Sequence, residues 1–113
     1  MTDRELLEYA AKAAGYLNLT PSAEGLHIET GSSRGGSGFY WNPLTDDGDA
    51  LRLAVKLQII VGKYDDYANA AGIGNDVDIV IWNHEEKDPY AATRRAIVRA
   101  AAEMGKHKEK NSD

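Results

Sequence analysis

Leu6, Tyr9, Ala10 and Ala13 recur at three- and four-residue steps, the spacing that places side chains on one face of an α-helix. The pattern predicts a first helix over residues 3–15. Thr2 and Glu5 have the spacing of a capping box at its front. Gly15 is placed to end it in the left-handed conformation, with Tyr16 and Leu17 folding back onto the core. A second stripe, Leu51, Ala54 and Val55 widened by Leu53 and Leu57, predicts a well-buried helix over residues 45–57. A third, through Thr93, Ile97, Ala100, Ala101 and Met104, predicts a last helix. Asp88 caps it, Pro89 opens it where a missing N–H costs nothing, and Gly105 stops it. "KHKEKNSD", residues 106–113, reads as a polar, disordered tail.

Between the helices lie extended runs. "LHIET" (26–30) alternates, with Leu26 and Ile28 on one face and His27 and Glu29 on the other. "FYWN" (39–42) returns from "GSSRGGSG" (31–38), a hairpin loop with nothing large to bury. "QIIVGKY" (58–64) and "VDIVIWN" (77–83) are the other two strands, and "TPSAEG" (20–25) and "DDYANAAGIGND" (65–76) read as loops. The order is α-β-β-α-β-β-α. Val77, Ile79 and Ile81 share one face, and Val80 and Trp82 the other. A strand wet on one side would alternate with polar residues, so the later two strands are expected at the centre of the sheet with both faces covered. The fold class expected is α/β, or α+β: a three-layer α/β/α sandwich on a largely antiparallel four-stranded sheet. The alternative is two layers with all helices on one face. Trp41-Asn42 and Trp82-Asn83 each end a strand before a helix, a hint of an internal strand-strand-helix repeat.

A chain of 113 residues fits one domain, expected over residues 1–105. It has no cysteine, which excludes disulfides and thiolate metal sites. The start, "MTDRELLEYAAK", is charged and amphipathic and does not read as a signal peptide. No apolar run reaches the ~20 residues of a membrane span. The net charge of −5 argues against general binding to nucleic acid and is compatible with docking on a basic protein surface.

"WNPLTDDGDALRLAVKL" (41–57), with "TRRAIVRAAAEMG" (93–105), resembles the small bacteriophage proteins of the phage ABA sandwich domain family. The likeness runs from the first helix to residue 105. It implies a three-layer sandwich, a phage or prophage origin and work in the host cytoplasm. It implies no activity, cofactor or catalytic residue.

Several residues are candidates for chemistry. Asp46, Asp47 and Asp49 are either a cation site or the acidic front of a helix. A calcium loop would need a distal glutamate, and Leu57 stands ten residues past Asp47, so a helix front is expected, capped by Thr45 or Asp47. His27, His84 and His107 lack ligand spacing. The glycine-rich loop around Arg34 lacks the ending of a phosphate-binding loop and precedes a strand, not a helix. Arg94, Arg95 and Arg99 read as a solvated helix face. Phe39, Tyr40 and Trp41 cannot all face solvent, because alternation puts Tyr40 opposite the other two. No catalytic, cofactor-binding or metal-ligating residue is assigned. The expectation is a non-enzymatic accessory protein that binds a host or phage protein through Arg34, Tyr40, Tyr64, Asp65, Asp66 and Tyr67. The alternatives are a small nucleotide-binding protein or metal-dependent enzyme using the glycine loop and Asp46–Asp49, and an oligomeric component of the phage particle.

Overall fold

The capping box forms as the sequence predicts. The Glu5 N–H donates to Thr2 Oγ1 at 3.1 Å and the Thr2 N–H to Glu5 Oε1 at 3.0 Å. They open α1 (Asp3–Ala13) in a computed structural model that describes residues 1–29, 38–64, 67–72, 79–84 and 88–110. Thr2→Ala should lower stability by about 1 kcal/mol, read as a shift in thermal midpoint. The Thr2 backbone N–H, and then its hydroxyl, hold the Glu5 carboxyl below the usual glutamate range. That contribution is fully present above the ordinary glutamate value and is lost as pH falls through the lowered folded one.

The remaining elements are β1 (Leu19–Ser22), β2 (Gly25–Glu29), β3 (Gly38–Trp41), α2 (Asp47–Leu57), β4 (Ile59–Lys63), β5 (Tyr67–Gly72), β6 (Ile79–His84) and α3 (Pro89–Lys110). Two strands beyond the expected four appear, and they change the sheet. Instead of one four-stranded sheet, the described residues form two antiparallel three-stranded sheets, ordered β1-β2-β3 and β4-β5-β6. β1 carries Pro21, which is tolerated because β1 is an edge strand. β5, "YANAAG", is poor in strand-forming residues. Its Ala68 and Ala70 are fully buried, and their small side chains let α3 lie close. The α+β class stands, and the repeated unit becomes strand-strand-strand-helix.

The layer order also differs from expectation. β4 and β6, expected at the centre, are the two edges flanking β5. Ile59 is buried, whereas Ile60 is 59% exposed, so β4 is not covered on both faces. The first and last helices, which a sandwich would separate by a sheet, pack directly on one another. The hub is α3, which touches α1, α2 and all of β4, β5 and β6. Ala96, Ile97, Val98, Ala100, Ala101 and Ala102 are all buried. At 100° per residue these positions cover about 240° of the cylinder, the mark of a helix packed on more than one side. Alanine at most of them permits close approach on several sides at once.

The front of α3 is as predicted: the Tyr90 N–H donates to Asp88 Oδ1 at 2.9 Å. Its end is not. The helix continues through Gly105 to Lys110, so the tail expected from residue 106 is helical for another turn. Gly105 lies against α1, where an added Cβ would come within 1.9 Å of the Tyr9 carbonyl oxygen. The glycine is there for close contact, not to stop the helix. Leu17 is 84% exposed and does not join the core, whereas Tyr16 does: its ring meets Phe39 and Trp41 edge-on, both at 5.7 Å. The stripe expected on α2 is also shifted. Asp49, Ala50, Leu53 and Ala54 are buried, whereas Leu51 and Val55 are 65% and 69% exposed.

Candidate functional site

The segment after β3 shows how the acidic cluster is used. Pro43 follows Asn42, whose carbonyl accepts the N–H groups of both Thr45 and Asp46 in a tight turn. The chain leaves that turn extended at Asp46, with φ −115° and ψ 120°. The Asp46 side chain accepts the Asp49 N–H at 2.8 Å and is therefore the cap, in place of Thr45 or Asp47; Thr45 is still inside the turn. Asp47 takes the Arg94 guanidinium of α3 at 2.6 Å. Asp49 is buried and accepts the Asn42 N–H at 2.9 Å and Arg52 Nη2 at 2.8 Å. The three carboxylates are thus each held by partners within the fold, with Asp46 and Asp49 sharing Arg52. Among the described residues, no group of three or more metal-capable side chains is present.

Arg94 and Arg95 of the α3 arginine stripe are likewise structural. Arg94 also donates through Nε to the Leu44 carbonyl at 2.8 Å, and its side chain is only 16% exposed. Arg95 reaches back to Asp3 at the front of α1, at 3.2 Å. The solvated face expected for these residues instead ties the central helix to the fronts of the other two.

Next to this turn lies an open cleft of about 400 Å³ between β3 and α2. Ala14, Trp41 and Leu53 are its buried apolar lining, Tyr16 and Phe39 its half-buried walls. Arg52 and Lys56, one turn apart on α2, stand at its rim. The bond to Asp49 raises the Arg52 pKa further, so the guanidinium is charged at every accessible pH. Lys56 Nζ lies 4.7 Å over the Tyr16 ring, a cation–π contact. The cleft therefore offers an aromatic and aliphatic floor beside two cations, of which Arg52 is paired with the Asp49 carboxylate that also lines the cleft.

Of the residues singled out from sequence, Tyr40 is at this cleft. It lies on the outer face of β1-β2-β3, 61% exposed, with its ring 5.0 Å from that of His27 across the strand pair. Tyr64 is on the other sheet, just past β4, and is 49% exposed. Tyr67 begins β5, but its side chain, like Arg34, Asp65 and Asp66, lies outside the described residues. Tyr40 lies on β3, and Tyr64 follows β4 of the other sheet. His107 lies within α3, not in a tail, and His84 ends β6. Sequence reasoning missed Tyr16, Arg52 and Lys56. Arg52 and Lys56 carry a legible signal, a four-residue spacing of cations on a helix whose opposite face is apolar. Tyr16 is brought in only by the turn at Gly15, φ +89°.

No protein-family model, curated protein or solved structure matches this chain. Among the described residues, no helix is long and apolar enough to cross a membrane.

Proposed function

We propose that this protein is a non-enzymatic accessory protein of a phage or prophage, acting in the bacterial cytoplasm by binding a host or phage protein. The observation that carries this reading is on α2. Leu51 and Val55, four residues apart, are 65% and 69% exposed, forming an apolar stripe on the helix that borders the cleft. Large apolar side chains left in water one turn apart have the composition of an interface centre, and they stand on a different face of α2 from the cleft-lining Asp49, Arg52, Leu53 and Lys56.

The phage origin rests on the likeness of residues 41–57 and 93–105 to the phage family, and one contact gives that pairing a physical sense. Asp47 belongs to the first stretch and Arg94 to the second, and they form the ion pair that fixes α2 on α3. The two stretches work together in this chain.

The double substitution Leu51→Asp with Val55→Asp removes the stripe at exposed positions and should lower stability by about 1 kcal/mol through helix propensity and the helix dipole. Captured from lysate of phage-infected bacteria, the wild-type chain should retain one stoichiometric protein that the double variant loses. Equal retention by both chains would exclude the stripe as the interface. Retention by neither, with a melting point raised by saturating ATP or Mg²⁺, would replace protein binding by ligand chemistry.

A further inference from the structure

We propose that the cleft between β3 and α2 receives an extended acidic segment of the partner, which adds as a strand to the open edge of β3 and seats one apolar side chain on the cleft floor. This rests on the protein-binding reading and goes beyond it in naming the chemistry of the partner.

The first argument is the edge itself. In the sheet β1-β2-β3, the outer strands are β1 and β3. β1 is blunted by Pro21, one of the ordinary ways a sheet protects an edge. β3, "GFYW", has no proline and no lysine. Successive residues of a strand present their backbone groups to alternate sides. The Asn42 N–H, just past the end of β3, points away from β2 to the Asp49 carboxylate on α2. Two residues earlier, Tyr40 therefore turns its N–H and C=O to that same side, where the cleft is. Among the described residues no strand pairs with that side of β3, and a backbone laid there would pair with these groups, the mode of strand addition.

The second argument is what lies beneath and beside such a strand. Side chains along an added strand alternate between the two faces of the sheet. Those on the inner face meet the floor formed by Tyr16, Phe39, Trp41 and Leu53; a cleft of about 400 Å³ has room for one aromatic or branched aliphatic anchor. Flanking side chains meet Arg52 and Lys56. The Arg52 side chain is 73% exposed, and among the described residues its Nη2 is engaged, with Asp49 and Asp46. A guanidinium has five N–H donors, so further donors remain for a carboxylate. Of the charged residues that line the cleft, Asp49 offsets Arg52 and leaves the Lys56 ammonium as the net charge, which favours acid.

The test uses the full chain and the capped peptide Asp-Glu-Phe-Glu-Asp, with Lys-Lys-Phe-Lys-Lys as its counterpart, followed by NMR shifts of backbone amides. The acidic peptide should bind saturably, with shifts centred on residues 39–42 and on α2, and the basic one about tenfold or more weakly. Lys56→Glu should weaken the acidic peptide severalfold, and Arg52→Glu with Lys56→Glu further. Lys56→Glu alone keeps the charge arm valid if loss of the Asp49 partner unsettles the double variant. Tyr40→Pro removes the outward N–H but no bond to β2; it should abolish binding while the sheet's own amide pattern persists. The proposal is overturned if the two peptides bind alike, if neither binds at millimolar concentration, or if Tyr40→Pro binds normally. Preference of the cleft for a short oligothymidylate over the acidic peptide would overturn it too. If the peptide arms fail while the stoichiometric partner is still captured through Leu51 and Val55, this inference falls and the protein-binding reading stands. Peptide binding without any captured partner is the reverse case.

Discussion

Replacing Gly105 with alanine should destabilise the folded chain by about 2 kcal/mol. Helix propensity alone predicts the opposite sign. Gly105 is inside α3, and alanine is favoured over glycine in a helix interior by about 1 kcal/mol. The contact decides against propensity because the added methyl would sit 1.9 Å from the Tyr9 carbonyl oxygen and 2.8 Å from its carbonyl carbon. Both are backbone atoms of α1, so no rotamer change relieves them. The helices must part along a seam where Ala10, Ala11, Ala101 and Ala102 are all buried. Overpacking of this kind costs about 1–3 kcal/mol and sometimes more. The readout is the urea midpoint at constant slope. Tyr9→Ala should not rescue the variant, since the obstacle is the carbonyl and not the ring. A Gly105→Ala protein as stable as the parent would mean that α1 and α3 are less closely packed than described.

The same contact shows why the end of α3 was illegible in the sequence. A glycine after an apolar stripe is the ordinary sign of a helix end, and nothing local separates it from a glycine required by a neighbouring helix. The two missed strands have related causes. "YANAAG" lacks the branched and aromatic residues that announce a strand; its alanines answer to the proximity of α3, which is a tertiary fact. "LTPS" contains a proline, which is compatible with a strand only at an edge. With both strands hidden, the remaining four had to be joined into one sheet, and the layer order followed wrongly. Signals within a few residues were readable: the Thr2–Glu5 box, the Asp88–Pro89 start, and the alternation of Phe39 and Trp41 against Tyr40 all hold. At the site, the sequence correctly assigned the Asp46–Asp49 acids to the front of a helix. It did not reveal that Asp49 is buried, or that Arg52 and Lys56 face an aromatic floor, because Tyr16 arrives there from another element. Arg94 was misread for the same reason, since its partners Leu44 and Asp47 are about fifty residues away in the chain.

Asp49→Ala should cost about 2–3 kcal/mol, the other large effect expected here, and more than the loss of its salt bridge explains. Its carboxylate has two duties, to the Arg52 guanidinium at 2.8 Å and to the Asn42 backbone N–H at 2.9 Å. The first is replaceable, because the Arg52 side chain is 73% exposed and water can solvate it. The second is not. The Asn42 N–H lies in a half-buried turn between β3 and α2, and without Asp49 it has no acceptor, a loss of about 1–3 kcal/mol for an orphaned buried donor. The vacated space beside Trp41 and Leu53 adds to that. Asp49→Asn, which retains an acceptor oxygen but not the charge, should cost about 1 kcal/mol. Arg52→Ala should cost clearly less than Asp49→Ala. The order of the three in urea denaturation therefore separates the two duties. If Arg52→Ala matched Asp49→Ala, the ion pair and not the N–H would join the strand to the helix, and the direction inferred for the β3 edge from that N–H would lose its support.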